Sequence, residues 1–204
     1  MISKLLFYVY LTHILCYWGF SFIWNIYNTY PYNKKESIKV IKYVINIQIT
    51  ILPICGFIFY YFYNKLDHTY ILSHPTFSMS ELSKLILMVI WEDGYFYYIH
   101  RLFHTRYLYK FHILHHKWQN PIPWEALYAS RTENILLNFF PVLTAPLLFN
   151  LQIFYIFLWV IIATVTSLFA HTNDTLHSIH HKYRNVNYGL TLIFDRINGT
   201  YKLE

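Results

Sequence analysis

Three stretches of this chain stay apolar for longer than a globular core can use. Residues 5–24 read LLFYVYLTHILCYWGFSFIW, residues 40–63 read VIKYVINIQITILPICGFIFYYFY, and residues 135–170 form the longest tract. An α-helix needs about 20 apolar residues to cross a bilayer, and each tract reaches that length. A helix also satisfies its own backbone hydrogen bonds, which lipid cannot do. Composition points the same way. Of the 204 residues, 56% are hydrophobic, 22% aromatic and 13% charged, against about 25% charged in ordinary soluble domains. A soluble fold of this size could not hide so much apolar surface. The predicted class is therefore all-α, an integral membrane helical bundle. The formal charge of +6 reads as membrane topology rather than nucleic-acid binding. Cys16 and Cys55 lie in apolar runs and are expected to be free thiols.

The first tract follows a single lysine and lacks a small-x-small cleavage site. It is also too long for a signal-peptide core, so a retained helix is expected. In the second tract Pro53 and Gly56 mark a kink. Residues 82–99 form a third, weaker span, since Glu92 and Asp93 sit inside it. The 135–170 tract exceeds one crossing and is punctuated by Pro141, Pro146 and Asn150. It reads as a helical hairpin, or as one helix plus a re-entrant piece. An N-terminal transmembrane region, 1–81, and a histidine-rich region, 82–204, make up one structural unit. Lysine and arginine cluster in a loop at 33–42, in 100–133 and in the tail, whereas 64–81 is nearly neutral. Three or five spans place the basic regions, and the histidines with them, on the cytosolic side.

The segment HRLFHTRYLYKFHILHH, residues 100–116, holds five of the chain's 12 histidines. His100 and His104 are four apart, so on a helix they share a face. His112, His115 and His116 have i, i+3, i+4 spacing, and His177, His180 and His181 repeat it. A lone pair of this kind is weak evidence for metal. Three clusters, two of identical form, are hard to reach by chance, and unpaired burial of eight imidazoles is costly. Tetrahedral zinc takes four ligands, so eight imply two ions. Imidazole suits zinc, copper, iron and nickel. An all-nitrogen site without cysteine leans toward a redox-active pair. Glu92, Asp93, Glu125 and Glu133 are candidates for orienting the imidazoles.

The flanks extend the pattern. WEDGYFYYIHRLFH (91–104) places an acidic residue and aromatics before H-R-x-x-H. YKFHILHHKWQNPIPWEALYAS (109–130) carries a proline and a following acid. HSIHHKYRNVNYGLTLIFDRINGTYK (177–202) trails N-Y-G, D-R and G-T. These three boxes, with a hydrophobic hairpin between the second and third, resemble the fatty acid hydroxylase superfamily of sterol desaturases, sterol 4-methyl oxidases and lipid hydroxylases. The resemblance covers 91–202. It implies a di-iron, dioxygen-using oxidoreductase that hydroxylates or desaturates a membrane lipid, sterol or fatty acyl, and a histidine-rich di-metal cap on the cytosolic face of the endoplasmic reticulum. It also matches His171 to an isolated ligand after the hairpin. The chain holds no G-x-G-x-x-G, and His74-Pro75 lacks the glycines of a cytochrome b5 haem site. A separate NAD(P)H reductase and a cytochrome b5-like donor are therefore implied. Arg106, Lys110 and Lys117 could dock an acidic donor, although the topology rule explains the same charges.

The chain departs from the family pattern at Ser130-Arg131, at Leu176 and in the short link 172–176. These departures support an alternative, a catalytically degenerate relative that keeps a structural metal. A metal transporter is a third reading, but its histidines would line a path within the spans. On a continuous helix His171 would point about 130° away from the third box, so a turn at Thr172-Asn173-Asp174 must redirect it. His13, His68 and His74 match no box, and mid-span His13 reads as a hydrogen-bonded helix contact. Asn187-Tyr188-Gly189 and Gly199-Thr200 read as turn chemistry, and Asp195-Arg196 as an ion pair bracing a helix.

Overall fold

The computed structural model describes residues 2–28, 34–63, 65, 77–172 and 175–203. Every regular element among them is helical. We number the longer helices α1 (Ile2–Tyr27), α2 (Lys34–Tyr63), α3 (Met79–Phe103), α4 (Arg131–Phe149), α5 (Ile153–Ala170), α6 (Leu176–Tyr183) and α7 (Ile193–Ile197). One-turn pieces, Tyr109–His112, His115–Lys117 and Pro123–Glu125, link α3 to α4.

Four of these helices are long and apolar enough to cross a membrane: Lys4–Tyr27, Lys34–Tyr63, Arg131–Phe149 and Ile153–Ala170. The long third tract is a hairpin, as its length requires. It reverses at Asn150, which ends α4 in the left-handed region at φ 45, a conformation asparagine tolerates better than most residues. The predicted weaker span at 82–99 lies in α3, which has 25 residues. Its charged residues, Glu81, Lys84, Glu92, Asp93 and Arg101, keep it out of the apolar four, yet it runs from the hairpin end, where Lys84 Nζ donates to Asn150 O (3.2 Å), to the histidine end at His100. It packs along α4 and buries Met88 and Tyr97 completely. The predicted basic loop at 33–42 is also different, since from Lys34 onward it forms the first turns of α2. Helix α2 runs through Pro53 without a break.

Two apolar clusters hold the bundle together. Away from the histidines, Phe59, Met88, Tyr155, Ile156 and Trp159 pack around Ala145. Nearer to them, Tyr17, Val44, Ile47, Phe139 and Leu168 surround Ile122 and Trp124. The Tyr17 hydroxyl donates to Trp124 O (3.1 Å) and accepts from Leu127 N (3.2 Å), tying α1 to the segment after the second histidine cluster. Outward-facing Phe7, Leu15, Phe22, Ile54, Phe57 and Phe169 stay exposed, as a lipid-facing surface requires.

The C-terminal segment is fastened by two buried carboxylates. Asp195 accepts from Tyr188 N (2.8 Å), Gly189 N (2.6 Å) and Thr200 Oγ1 (2.7 Å). Asp93 accepts from Thr191 N (2.7 Å) and Phe194 N (3.4 Å). Gly189 sits between them, and a Cβ there would lie 2.9 Å from an oxygen of each. Asn187 donates to Leu176 O and Lys202 O, closing the tail onto α6. The 187–189 and 199–200 motifs are thus turn chemistry. The expected Asp195–Arg196 ion pair does not form among the described residues. Asp195 spends its oxygens on backbone and hydroxyl donors, and Arg196 lies over the Tyr201 ring at 4.1 Å. Replacing Asp195 by alanine strands two buried N–H groups and should cost about 3 kcal/mol or more. The measurement is the thermal midpoint of the detergent-solubilised chain, with Asp195→Asn expected to fall between the variant and wild type.

Candidate metal centre

All nine predicted histidines converge at one end of the bundle. They fall into two sets, His100, His104, His112, His116 and His180 in one, and His115, His171, His177 and His181 in the other. Within each set the ligand nitrogens lie within 4.8 Å of one another. His100 and His104 come from the last turn of α3, held next to the tail by the Asp93 clamp. His112 ends the one-turn helix Tyr109–His112, and His115 and His116 occupy the next turn. His177, His180 and His181 lie on α6, which Thr175 caps by accepting from Ser178 N.

Each H-x2-H-H cluster was expected to present its imidazoles from one face, and the structure divides each between the two sets. The i, i+4 pairs stay together, His112 with His116 and His177 with His181. The middle residue crosses over, so His115 joins the second set and His180 the first. Consecutive helical residues diverge by about 100°, so a doubled histidine can serve two sites at once.

His171 is placed by the end of α5. Its backbone leaves the helix at φ −94, ψ 21, and its N–H still bonds to Leu168 O. Thr172 and Thr175 fold back onto Phe169 O and Ala170 O, at 2.8 and 2.6 Å. The helix ends before the third cluster begins, so the continuous-helix projection does not apply. His171 Nε2 reaches to 3.3 Å from His115 Nε2. Asn173, Asp174, His68 and His74 lie outside the described residues.

The rings are oriented from behind. Nδ1 donates to Tyr188 O in His100, Ser167 O in His171 and Val186 O in His180, each at 2.7 Å, and to Trp118 O at 2.9 Å in His181. His112 Nδ1 lies 2.8 Å from Glu133 Oε1. Donation through Nδ1 requires the tautomer whose Nε2 carries a lone pair. Nε2 atoms of the first set face one another: His100–His112 at 2.9 Å, His104–His180 and His116–His180 at 3.1 Å, His104–His116 at 3.2 Å. Nitrogens sharing a metal at 2.0–2.1 Å stand roughly 2.9–3.4 Å apart, so these separations suit a common ion. Both His177 nitrogens and His181 Nε2 are buried without any partner among the described residues, a cost that coordination would remove. The residues present fit two ions.

Burial, followed by neighbouring imidazoles, holds His100, His112, His115, His177 and His180 well below the usual histidine range. Burial brings His104 and His171 down to about 4 and His181 to about 3. Neutral rings are what a cation requires.

Of the four carboxylates proposed to orient these rings, only Glu133 touches one. Its Oε1 lies 2.8 Å from His112 Nδ1 and 3.8 Å from His115 Nδ1, so one oxygen faces both sets. Ser130 caps α4 by accepting from Glu133 N at 3.1 Å, which fixes where that carboxylate emerges. Glu125 instead accepts from Ile122 N within its own turn (3.0 Å). Asp93 is in the tail clamp, and Glu92 lines an apolar cavity. The carbonyls of Trp118, Ser167, Val186 and Tyr188 were invisible to sequence reasoning, because backbone acceptors leave no residue-type signal.

Comparison with known proteins agrees with this arrangement. The profile of the family described as Fatty acid hydroxylase matches residues 85–200. Human fatty acid hydroxylase domain-containing protein 2 is 33% identical over 135 residues, covering 62% of this chain and 40% of that protein. The Delta(7)-sterol 5(6)-desaturase ERG3A of Gibberella zeae is 34% identical over 131 residues, covering 57% and 37%. The very-long-chain aldehyde decarbonylase GL1-11 of Oryza sativa subsp. indica is 27% identical over 202 residues, covering 86% and 71%. The chain thus spans about two fifths of the length of the first two relatives. No solved structure matches. The matched segment takes in all nine clustered histidines and more than half of the chain, which belongs to the fatty acid hydroxylase family.

Proposed function

We propose that this chain is a membrane-bound di-iron oxidoreductase that hydroxylates or desaturates a lipid C–H bond with dioxygen. The observation that carries the reading is the pair of buried histidine sets, five and four rings, placed where an apolar cavity ends. When bound, the two metals would supply dioxygen activation and attack on an unactivated C–H bond. The protein holds nine neutral imidazoles, seven of them with Nε2 against another ring's Nε2, buries eight of them, and would align a lipid beneath. Phe96 lines the cavity and packs 5.1 Å, ring to ring, from His100. Ser167 lines it too, and its carbonyl holds His171. Relatives named as a sterol desaturase and an aldehyde decarbonylase support lipid chemistry in general. Electrons would come from a separate reductase and a cytochrome b5-like donor. The histidine layer and tail would face the cytosol, with the endoplasmic reticulum as the site. Residues 1–81 would serve as membrane anchor to the 82–204 histidine domain. The reading of a degenerate relative rested on the shortened link and on the departures at Ser130-Arg131 and Leu176; the inclusion of His171 in the second set weighs against the first of these.

Purified protein should carry two irons per chain by elemental analysis after iron-replete, anaerobic handling. The His115→Ala/His180→Ala variant takes one ring from each set and should lose both. Zinc alone in the wild type would favour a structural site.

Glu133→Gln should weaken metal affinity about 10–100-fold with little change in expression. A chelator titration read by metal retention checks this, and both ions should be affected, because Glu133 Oε1 faces both sets.

Acid should strip the site and destabilise the fold together. The unfolded histidines titrate near pH 6.5, whereas His104 and His171 in the fold titrate at about 4 and His181 at about 3. Between these values the unfolded chain binds more protons. Stability is therefore complete above about pH 6.5 and is lost as pH falls through that window. Thermal midpoint and metal content measured from about pH 7.5 to 4.5 should fall together, and a flat profile would contradict the burial of neutral rings.

A further inference from the structure

The cavity beneath the histidines has a volume of about 350 Å³, within the range of small-molecule sites. Its walls are almost wholly apolar and hold no lysine or arginine. Besides Tyr10, Tyr17 and Ser167, four polar side chains interrupt them, on four of the five surrounding helices: His13 on α1, Glu92 on α3, Asn138 on α4 and Thr164 on α5. Glu92 and Thr164 lie at a similar depth below the histidines. Glu92 precedes His100 by eight residues, an axial distance of about 12 Å, and Thr164 precedes His171 by seven, about 10 Å.

Three of the four already have partners. His13 Nδ1 meets Thr164 Oγ1 at 3.1 Å, and its Nε2 meets Gln48 Nε2 at 3.4 Å. Asn138 donates to Asn134 Oδ1 at 3.0 Å. Glu92 has none. Its side chain is 9% exposed, lines the cavity, and makes no hydrogen bond or ion pair among the described residues. An unpartnered carboxyl in such surroundings is costly to keep and marks a functional group rather than a packing residue. The lining also excludes one class of occupant. A free fatty acid would bring a carboxylate into a cavity that offers no cation to meet it.

We propose that Glu92 is a specificity residue that accepts a hydrogen bond from a hydroxyl on a neutral lipid, seated about 10–12 Å from the histidine layer. The substrate class is then a hydroxyl-bearing apolar molecule, a long-chain alcohol or a sterol, and not a fatty acid anion. This rests on the lipid-oxygenase reading above, but concerns binding rather than turnover.

The test is equilibrium binding to the purified full chain in nanodiscs, with tritiated 1-octadecanol competed by octadecane, oleate or cholesterol. The alcohol should bind roughly tenfold tighter than the alkane, the return expected for a hydrogen bond to a buried carboxyl, and oleate should bind worst. Glu92→Leu should erase the preference for alcohol over alkane while leaving octadecane affinity unchanged. The cholesterol arm separates the two hydroxyl sources, with the tighter competitor naming the skeleton. Equal affinity for alcohol and alkane, or preference for oleate, overturns the assignment, and the wild-type series alone decides this if Glu92→Leu does not fold. An alkane that binds without discrimination refutes the role of Glu92 yet leaves the lipid reading standing. No binding by any of the four probes removes both.

Discussion

Nine imidazoles in a dry layer repel any proton that would charge them, and this constraint governs the rest of the molecule. Each ring must stay neutral and must also give its nitrogens something to do. The fold meets the second demand from behind in four rings, where backbone carbonyls accept from Nδ1, and sets Glu133 Oε1 2.8 Å from His112 Nδ1. Nε2 is then left as the free ligand nitrogen in the four carbonyl-held rings. A cluster built this way is poor protein and good ligand.

The helices bring that layer together by where they end. α3 delivers two histidines at its C-terminal turn, α5 delivers one as it stops, and α6 delivers three at once. Glu133 emerges from the first turn of α4, which starts where the second cluster's segment finishes. The Asp93 and Asp195 clamps hold the last box against α3, so that Tyr188 O meets His100. The division of each H-x2-H-H cluster between two sets interlocks the segments. The second cluster lends His115 to the set dominated by α6, and α6 returns His180 to the other.

Much of this was legible in the chain. Histidine spacing announced the ligands, and the excessive length of 135–170 announced a reversal near Asn150. Even the order of the boxes pointed to the family. What could not be read depended on direction rather than identity. Which of Glu92, Asp93, Glu125 and Glu133 would face an imidazole was undetermined, because four similar acids at similar distances along the chain leave different turns. Ser130 settles it for Glu133 through a cap, and Ile122 N claims Glu125. For His171 the sequence demanded a turn after the fifth helix without showing its form; the helix stops at Ala170 and Thr172 folds back onto Phe169 O. The Asp195–Arg196 pair failed because bare backbone N–H groups, which sequence does not display, compete for a carboxylate better than an exposed guanidinium does.

The length of the hairpin has a consequence for the surrounding lipid. Helix α5 has 18 residues and so rises about 27 Å, which matches the hydrocarbon thickness of an endoplasmic-reticulum bilayer, about 27 Å. In such a bilayer the histidine layer at the end of α5 would lie level with the lipid esters. A lipid moving sideways in its own leaflet would then reach the site without being lifted into water.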